Sequence, residues 1–164
     1  MLLSIITLNS FRLMISPLNL LKGGNSLLIK SIAMKIDKPL LDSLTQKAKE
    51  SPRLRMNFDM RTSAEDGSQR MLNALEPGTV LPIHRHRKTT ETVVILRGSA
   101  TQYFYDDNGN ITEQVTITAG TPDCDMSVEA GRWHRLVCHE SGTVIFEAKD
   151  GAYEPIGEED ILNL

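Results

Sequence analysis

The hydrophobic positions change period along the chain, and the change marks out its parts. Between Asp37 and Glu50 the apolar residues Leu40, Leu41, Leu44 and Ala48 recur at helical spacing, and Pro39 suits a first turn that Asp37 or Ser43 can cap. The pattern predicts one short helix. After Ser51-Pro52 the texture becomes short runs rich in Val, Ile, Thr and Tyr, broken by Gly, Asn, Asp and Pro at the spacing of an all-β sandwich or barrel. Residues 53–155 therefore read as a β domain. The clearest hairpin spans 99–117, where Asn108-Gly109 can supply the positive φ angles of a tight turn. Further strands are expected over 91–96, 126–129, 134–139 and 143–149, with Gly131 and Ser141-Gly142 as breakers.

Charge separates the first 33 residues from the rest. They hold Arg12, Lys22 and Lys30 and no acid, giving +3 and leaving −6 for residues 34–164 of a chain whose net charge is −3. The apolar run from Leu2 to Leu8 lacks a preceding basic region and is interrupted by Asn9, Ser10 and Arg12, short of a signal core or a membrane span. The expectation is a mis-annotated or disordered extension over 1–33, with Met34 as the true start, and a single domain over 34–164. With 40% hydrophobic and 24% charged residues the composition is that of a folded soluble protein, and no basic face suggests nucleic acid or membrane as a partner. Cys124 and Cys138 show no C-x-x-C spacing, so the expectation is two reduced thiols in a cytoplasmic protein, Cys138 as buried packing.

Of four histidines, His84, His86 and His134 fall beside strand signals. Side chains alternate faces along a strand, so His84 and His86 project to the same side and can hold one ion together. Glu91, opening the next strand, can add a carboxylate beside them. His139 has the opposite strand parity to His134 and is expected to face outward.

The string Gly78, His84, His86, Glu91, Gly98 resembles the first cupin motif at each defining position, and Gly131-Arg132-Trp133-His134 resembles the core of the second, which supplies a fourth ligand. The second motif usually has proline and asparagine where this chain has Glu129 and Cys138. The likeness goes further. Residues 69–78 (Gln-Arg-Met-Leu-Asn-Ala-Leu-Glu-Pro-Gly), Pro82 to His86, Leu96-Arg97-Gly98, Tyr105 to Gly109 and Glu147 to Pro155 resemble the WbuC-family cupin fold metalloproteins over roughly residues 35–157. The resemblance implies a double-stranded β-helix, a jelly-roll barrel with a metal in its lumen, often encoded near genes for bacterial surface polysaccharide synthesis.

Taken together, these features predict an all-β cupin barrel with a short N-terminal helix and one divalent transition metal (Fe, Mn, Ni, Co or Zn) on His84, His86, Glu91 and His134. Four protein ligands leave room for a small-molecule ligand. Gln69, Arg70, Tyr103 and Trp133 are the candidate substrate contacts, since a guanidinium suits carboxylates and aromatic faces stack on sugars. The favoured activity is isomerase- or epimerase-like, on a small sugar-derived or carboxylated substrate. An Fe(II) dioxygenase and a non-catalytic saccharide-binding or sensing module are the alternatives. A homodimer is expected, because pairing protects open sheet edges.

Overall fold

A computed structural model describes residues 34–163, so the expectation for 1–33 lies outside the described residues. Helix α1 (Lys38–Glu50) begins at Asp37, whose carboxylate accepts from the Leu40 amide, and carries proline in its first turn, as the pattern predicts. The strands are β1 (Arg55–Asp59), β2 (Ser68–Leu75), β3 (Ile83–His84), β4 (Glu91–Arg97), β5 (Ser99–Tyr105), β6 (Ile111–Thr118), β7 (Asp125–Val128), β8 (Trp133–Cys138), β9 (Thr143–Asp150) and β10 (Ile161–Leu162). They form two antiparallel five-stranded sheets, ordered β1-β2-β9-β4-β7 and β10-β3-β8-β5-β6.

Alternation fixes what each face does. Leu75, Val93, Ile95 and Ile145 from the first sheet meet Ala100, Ile117, Leu136 and Cys138 from the second in one buried cluster, the barrel interior. The other face of the first sheet is covered by α1, whose Leu44 and Ala48 pack on Leu72, Ala74 and Val144. Odd-numbered positions of β2, of β9 and of β4 up to its bulge at Ile95/Arg97 therefore point into the barrel, as do even-numbered positions of β5 and β8. Cys138 is a buried packing residue, and Cys124 and Cys138 are both free thiols.

The β5–β6 hairpin departs from the tight two-residue turn. Only Gly109 adopts positive φ, and the loop runs from Asp106 to Asn110 with a register shift at Phe104/Tyr105. The cause is Asp106, whose Oδ1 accepts from the backbone amides of Asn108 and Asn110 and holds a wider loop closed.

Gly98, between β4 and β5, sits at φ +80°, and a Cβ there would lie 2.2 Å from Thr143 Oγ1 and 2.9 Å from Thr143 Cα. Gly98→Ala is expected to cost about 2–4 kcal/mol through backbone strain and steric clash. Urea unfolding would read this as a lower midpoint at unchanged slope. A loss under about 0.5 kcal/mol would show that Thr143 yields freely.

Candidate metal centre

Ionisable side chains converge at one end of the barrel. β3 ends at His84, which lies opposite His134 in the β3–β8 ladder. His86 falls two residues past the strand end rather than on it, held where its carbonyl accepts from the Gly131 amide. The three rings converge, with centroids 4.3 Å apart for His84 and His134, 5.1 Å for His84 and His86, and 5.5 Å for His86 and His134. One ligand atom from each lies within 4.8 Å of the others, so the trio can hold a metal ion.

Backbone carbonyls set the tautomers. His84 Nδ1 lies 3.1 Å from the Pro82 carbonyl and His134 Nδ1 lies 2.8 Å from the Arg132 carbonyl. A proton on each Nδ1 leaves Nε2 with its lone pair. His134 Nε2 is buried and has no hydrogen-bond partner among the described residues, which leaves its lone pair free for an ion. Glu91, buried at the start of β4, places Oε2 3.1 Å from His86 Nε2 and 3.9 Å from His134 Nε2.

Two residues that the sequence reading left unassigned complete the cluster. Lys149 and Glu147 occupy the inward positions of β9 that follow Ile145. Lys149 Nζ lies 3.2 Å from His86 Nε2 and 3.3 Å from Glu91 Oε2, and it donates to Glu147 Oε1. Glu147 in turn accepts from Asn73 Nδ2 on β2 at 3.0 Å. Burial would raise the Glu91 carboxyl, but the His86 hydrogen bond and the nearby Lys149 charge outweigh it and keep it ionised. Burial and the neighbouring Glu91 charge push Glu147 up. Burial works against the Lys149 charge, yet Glu91 and Glu147 hold its pKa above the ordinary lysine value.

Burial pushes His84 down from 6.5 to about 4, aided by His134, and burial likewise lowers His134. Such a histidine stays neutral in the fold while the unfolded chain takes up a proton. The stability it contributes is therefore lost as pH falls from about 6.5 to about 4. Glu147 acts with the opposite sign, so the test compares two chains. With metal chelated, the melting temperature of His84→Gln should fall less steeply across that window than that of the wild type. Equal slopes would refute the burial of a neutral His84.

A cleft of about 690 Å³ opens beside His86, the one imidazole of the trio in its lining, and is walled by Gln69, Lys149 and residues 150–157, 159 and 160. That segment is tied down beside the histidines. Asp160 Oδ1 accepts from Arg85 Nε at 3.0 Å and from Arg87 Nε at 2.5 Å, and β10 pairs with β3. Neither the sheet pattern nor the motifs pointed to this strap.

Among the expected substrate contacts only Gln69 lines the cleft. Arg70 is a correction: it shares the outward face of β2 with Leu72 and Ala74 and pairs with Asp66 at 2.6 Å and with Ser68. Tyr103 and Trp133 also point out of the barrel, for the same reason of strand parity. Both belong to an outer cluster with Ile83 and Tyr105, and Trp133 donates to Asp107 Oδ1 and stacks under Arg85. His139 is exposed, as its parity predicts.

The family model described as "Domain of unknown function (DUF6016)" matches residues 36–117, half of the 164-residue chain. No curated protein matches. Among solved structures the chain is similar to KdgF from Halomonas sp., at 11% identity and TM-score 0.50, over 63% of this chain and 84% of that one. It is similar to oxalate oxidase in complex with the substrate analogue glycolate, at 14% identity and TM-score 0.52, over 66% of this chain and 57% of that one. A mutant of Bacillus subtilis oxalate decarboxylase OxdC matches at 16% identity and TM-score 0.50, over 66% of this chain and 27% of that one. This chain thus spans little more than half of the oxidase and about a quarter of the decarboxylase. All three are cupin-fold proteins, and the likeness establishes the fold: a cupin jelly roll, as the motifs predict. Among the described residues no helix is long and apolar enough to cross a membrane. By its match over residues 36–117, the chain belongs to the family described as Domain of unknown function (DUF6016).

Proposed function

We propose that this protein is a WbuC-like, metal-dependent cupin enzyme that holds one divalent transition metal on His84, His86, Glu91 and His134. One observation carries the reading: three imidazoles whose ligand atoms lie within 4.8 Å of one another, with His134 ending in a buried Nε2 that has no hydrogen-bond partner among the described residues and His86 lining a cleft. The donor set of nitrogens and one carboxylate fits Fe, Mn, Ni, Co or Zn. When bound, such an ion supplies Lewis-acid chemistry at an oxygen-bearing substrate. The chain's own part is to fix the imidazoles through carbonyls, keep Glu91 ionised and present Gln69 and Lys149 to the cleft.

The activity favoured is isomerase- or epimerase-like, on a small sugar-derived or carboxylated substrate, with a role in bacterial surface polysaccharide biosynthesis and a cytoplasmic location. The test loads the protein with Fe(II) or Mn(II) and follows a panel of hydroxy acids, oxo acids and uronic acids by NMR. Isomerised product supports the reading. Oxygen consumption with Fe(II) would replace it with a dioxygenase, and saturable binding without turnover would replace it with a binding module.

The reading includes a homodimer that covers exposed sheet edges, which light scattering checks, a monomer being the contrary result. It also takes residues 34–164 as the functional domain. A chain starting at Met34 is expected to match the full chain in solubility and metal content, and a metal-free or aggregated truncation would refute this.

A further inference from the structure

Lys149 is not accounted for by a metal centre. A cation placed 3.2 and 3.3 Å from two of the proposed ligand atoms opposes a divalent ion, and a metal site would be tighter without it. It is also costly to keep, with a side chain 9% exposed. Resting on the metal reading above, the charges can be counted. Three neutral imidazoles and Glu91 leave a divalent ion with positive charge in excess. Once Glu91 serves the ion, Lys149 has only Glu147 as an ionic partner, and Glu147 already accepts from Asn73. The occupied centre is therefore net positive in a buried setting, which favours an anion entering from the cleft.

We propose that the substrate is a small carboxylate and that Lys149 is the residue that binds its charge beside the metal. Nζ lies within hydrogen-bond reach of two atoms that would hold the ion, so a molecule bound there meets both at once. The two arginines flanking His86 are committed elsewhere, both to Asp160. Lys88 also lines the cleft, but Lys149 is the ammonium against the proposed ligand atoms, and one ammonium there matches one carboxylate charge better than a phosphate dianion, which calls for several donors. The cleft, about 690 Å³, accepts a molecule of this size, and Gln69 at its wall, whose Nε2 donates to the Ala152 carbonyl, offers its amide oxygen to a second polar group.

The experiment uses the full chain loaded with Co(II) and reads its visible bands. L-lactate and lactamide share a hydroxyl and a shape and differ in the charge, and inorganic phosphate is the third probe. Lactate should perturb the bands at least about tenfold more tightly than lactamide or phosphate. Lys149→Met should reduce lactate to the level of lactamide, and Lys149→Arg should restore much of the difference. Equal affinities for lactate and lactamide in the wild type would overturn the proposal without any variant, and tighter phosphate binding would overturn the carboxylate class. Unchanged lactate binding in Lys149→Met would remove Lys149 from the role. Failure of Co(II) to load, seen before any probe is added, would overturn the metal reading and this inference with it.

Discussion

His134→Ala is expected to weaken metal binding by at least about 100-fold while the chain stays folded. His134 is the most enclosed of the three imidazoles, 2% exposed, and its Nδ1 is fixed by the Arg132 carbonyl, so its Nε2 meets an ion without searching for an orientation. Losing a preset ligand costs more than losing a neighbour that only orients one, and the latter is already worth about 10–100-fold. The barrel does not depend on that ring. Its interior cluster of Leu75, Val93, Ile95, Ala100, Ile117, Leu136, Cys138 and Ile145 contains no member of the site, and α1 packs on the far face of the first sheet. Competition with a chromophoric chelator gives the affinity, and far-UV circular dichroism with a melting curve checks the fold. Wild-type affinity in a folded His134→Ala would exclude His134 as a ligand.

Glu91→Gln is expected to lower both metal affinity and stability. The carboxylate sits among His86, His134 and Lys149, and is the negative charge that offsets a cation at this place whether the cation is an ion or the lysine. An amide keeps the shape and removes the charge. Affinity should fall about 100-fold, by analogy with loss of a ligand's charge and orientation. Lys149 then retains Glu147 alone, and removing one partner of a buried ion pair costs about 3–5 kcal/mol, reduced here because the second carboxylate remains. A loss of about 1–3 kcal/mol in the metal-free chain follows. Denaturant titration measures it, and Arg70→Ala, on the opposite face of the sheet, serves as the control that should leave metal binding unchanged. A Glu91→Gln chain with wild-type stability and metal affinity would mean that the carboxylate is an idle neighbour.

The residues now gathered at the barrel's end were legible to different degrees, for physical reasons. His84, His86, Glu91 and His134 were found because short-range spacing and two glycine-flanked strings carry them, and a ladder that sets His84 opposite His134 brings the strings together. The charged pair on β9 was harder. Glu147 and Lys149 stand at inward positions only because Ile145 does, and parity along one strand cannot be assigned until the barrel face is known. Arg70 was misplaced for the same reason: Leu72 and Leu75 are both buried, one against α1 and the other in the barrel, so apolar residues on both faces of β2 conceal which is the lumen. Tyr103 and Trp133 are aromatic residues of an outer cluster, and composition does not separate such packing from a sugar platform. The strap from Gly151 to Asp160 is held by a carboxylate bridging two arginines some 75 residues away in sequence, a contact no local pattern encodes.

The central claim is that the convergent imidazoles hold a resident ion, and elemental analysis tests it most directly. The full-length wild-type chain should be dialysed against about 10 μM of each candidate divalent ion, then freed of loosely bound metal. It should carry one transition-metal ion per chain, and the His134→Ala chain prepared alongside it should carry essentially none. A wild-type chain without stoichiometric metal, or a variant that retains its full complement, would contradict the account.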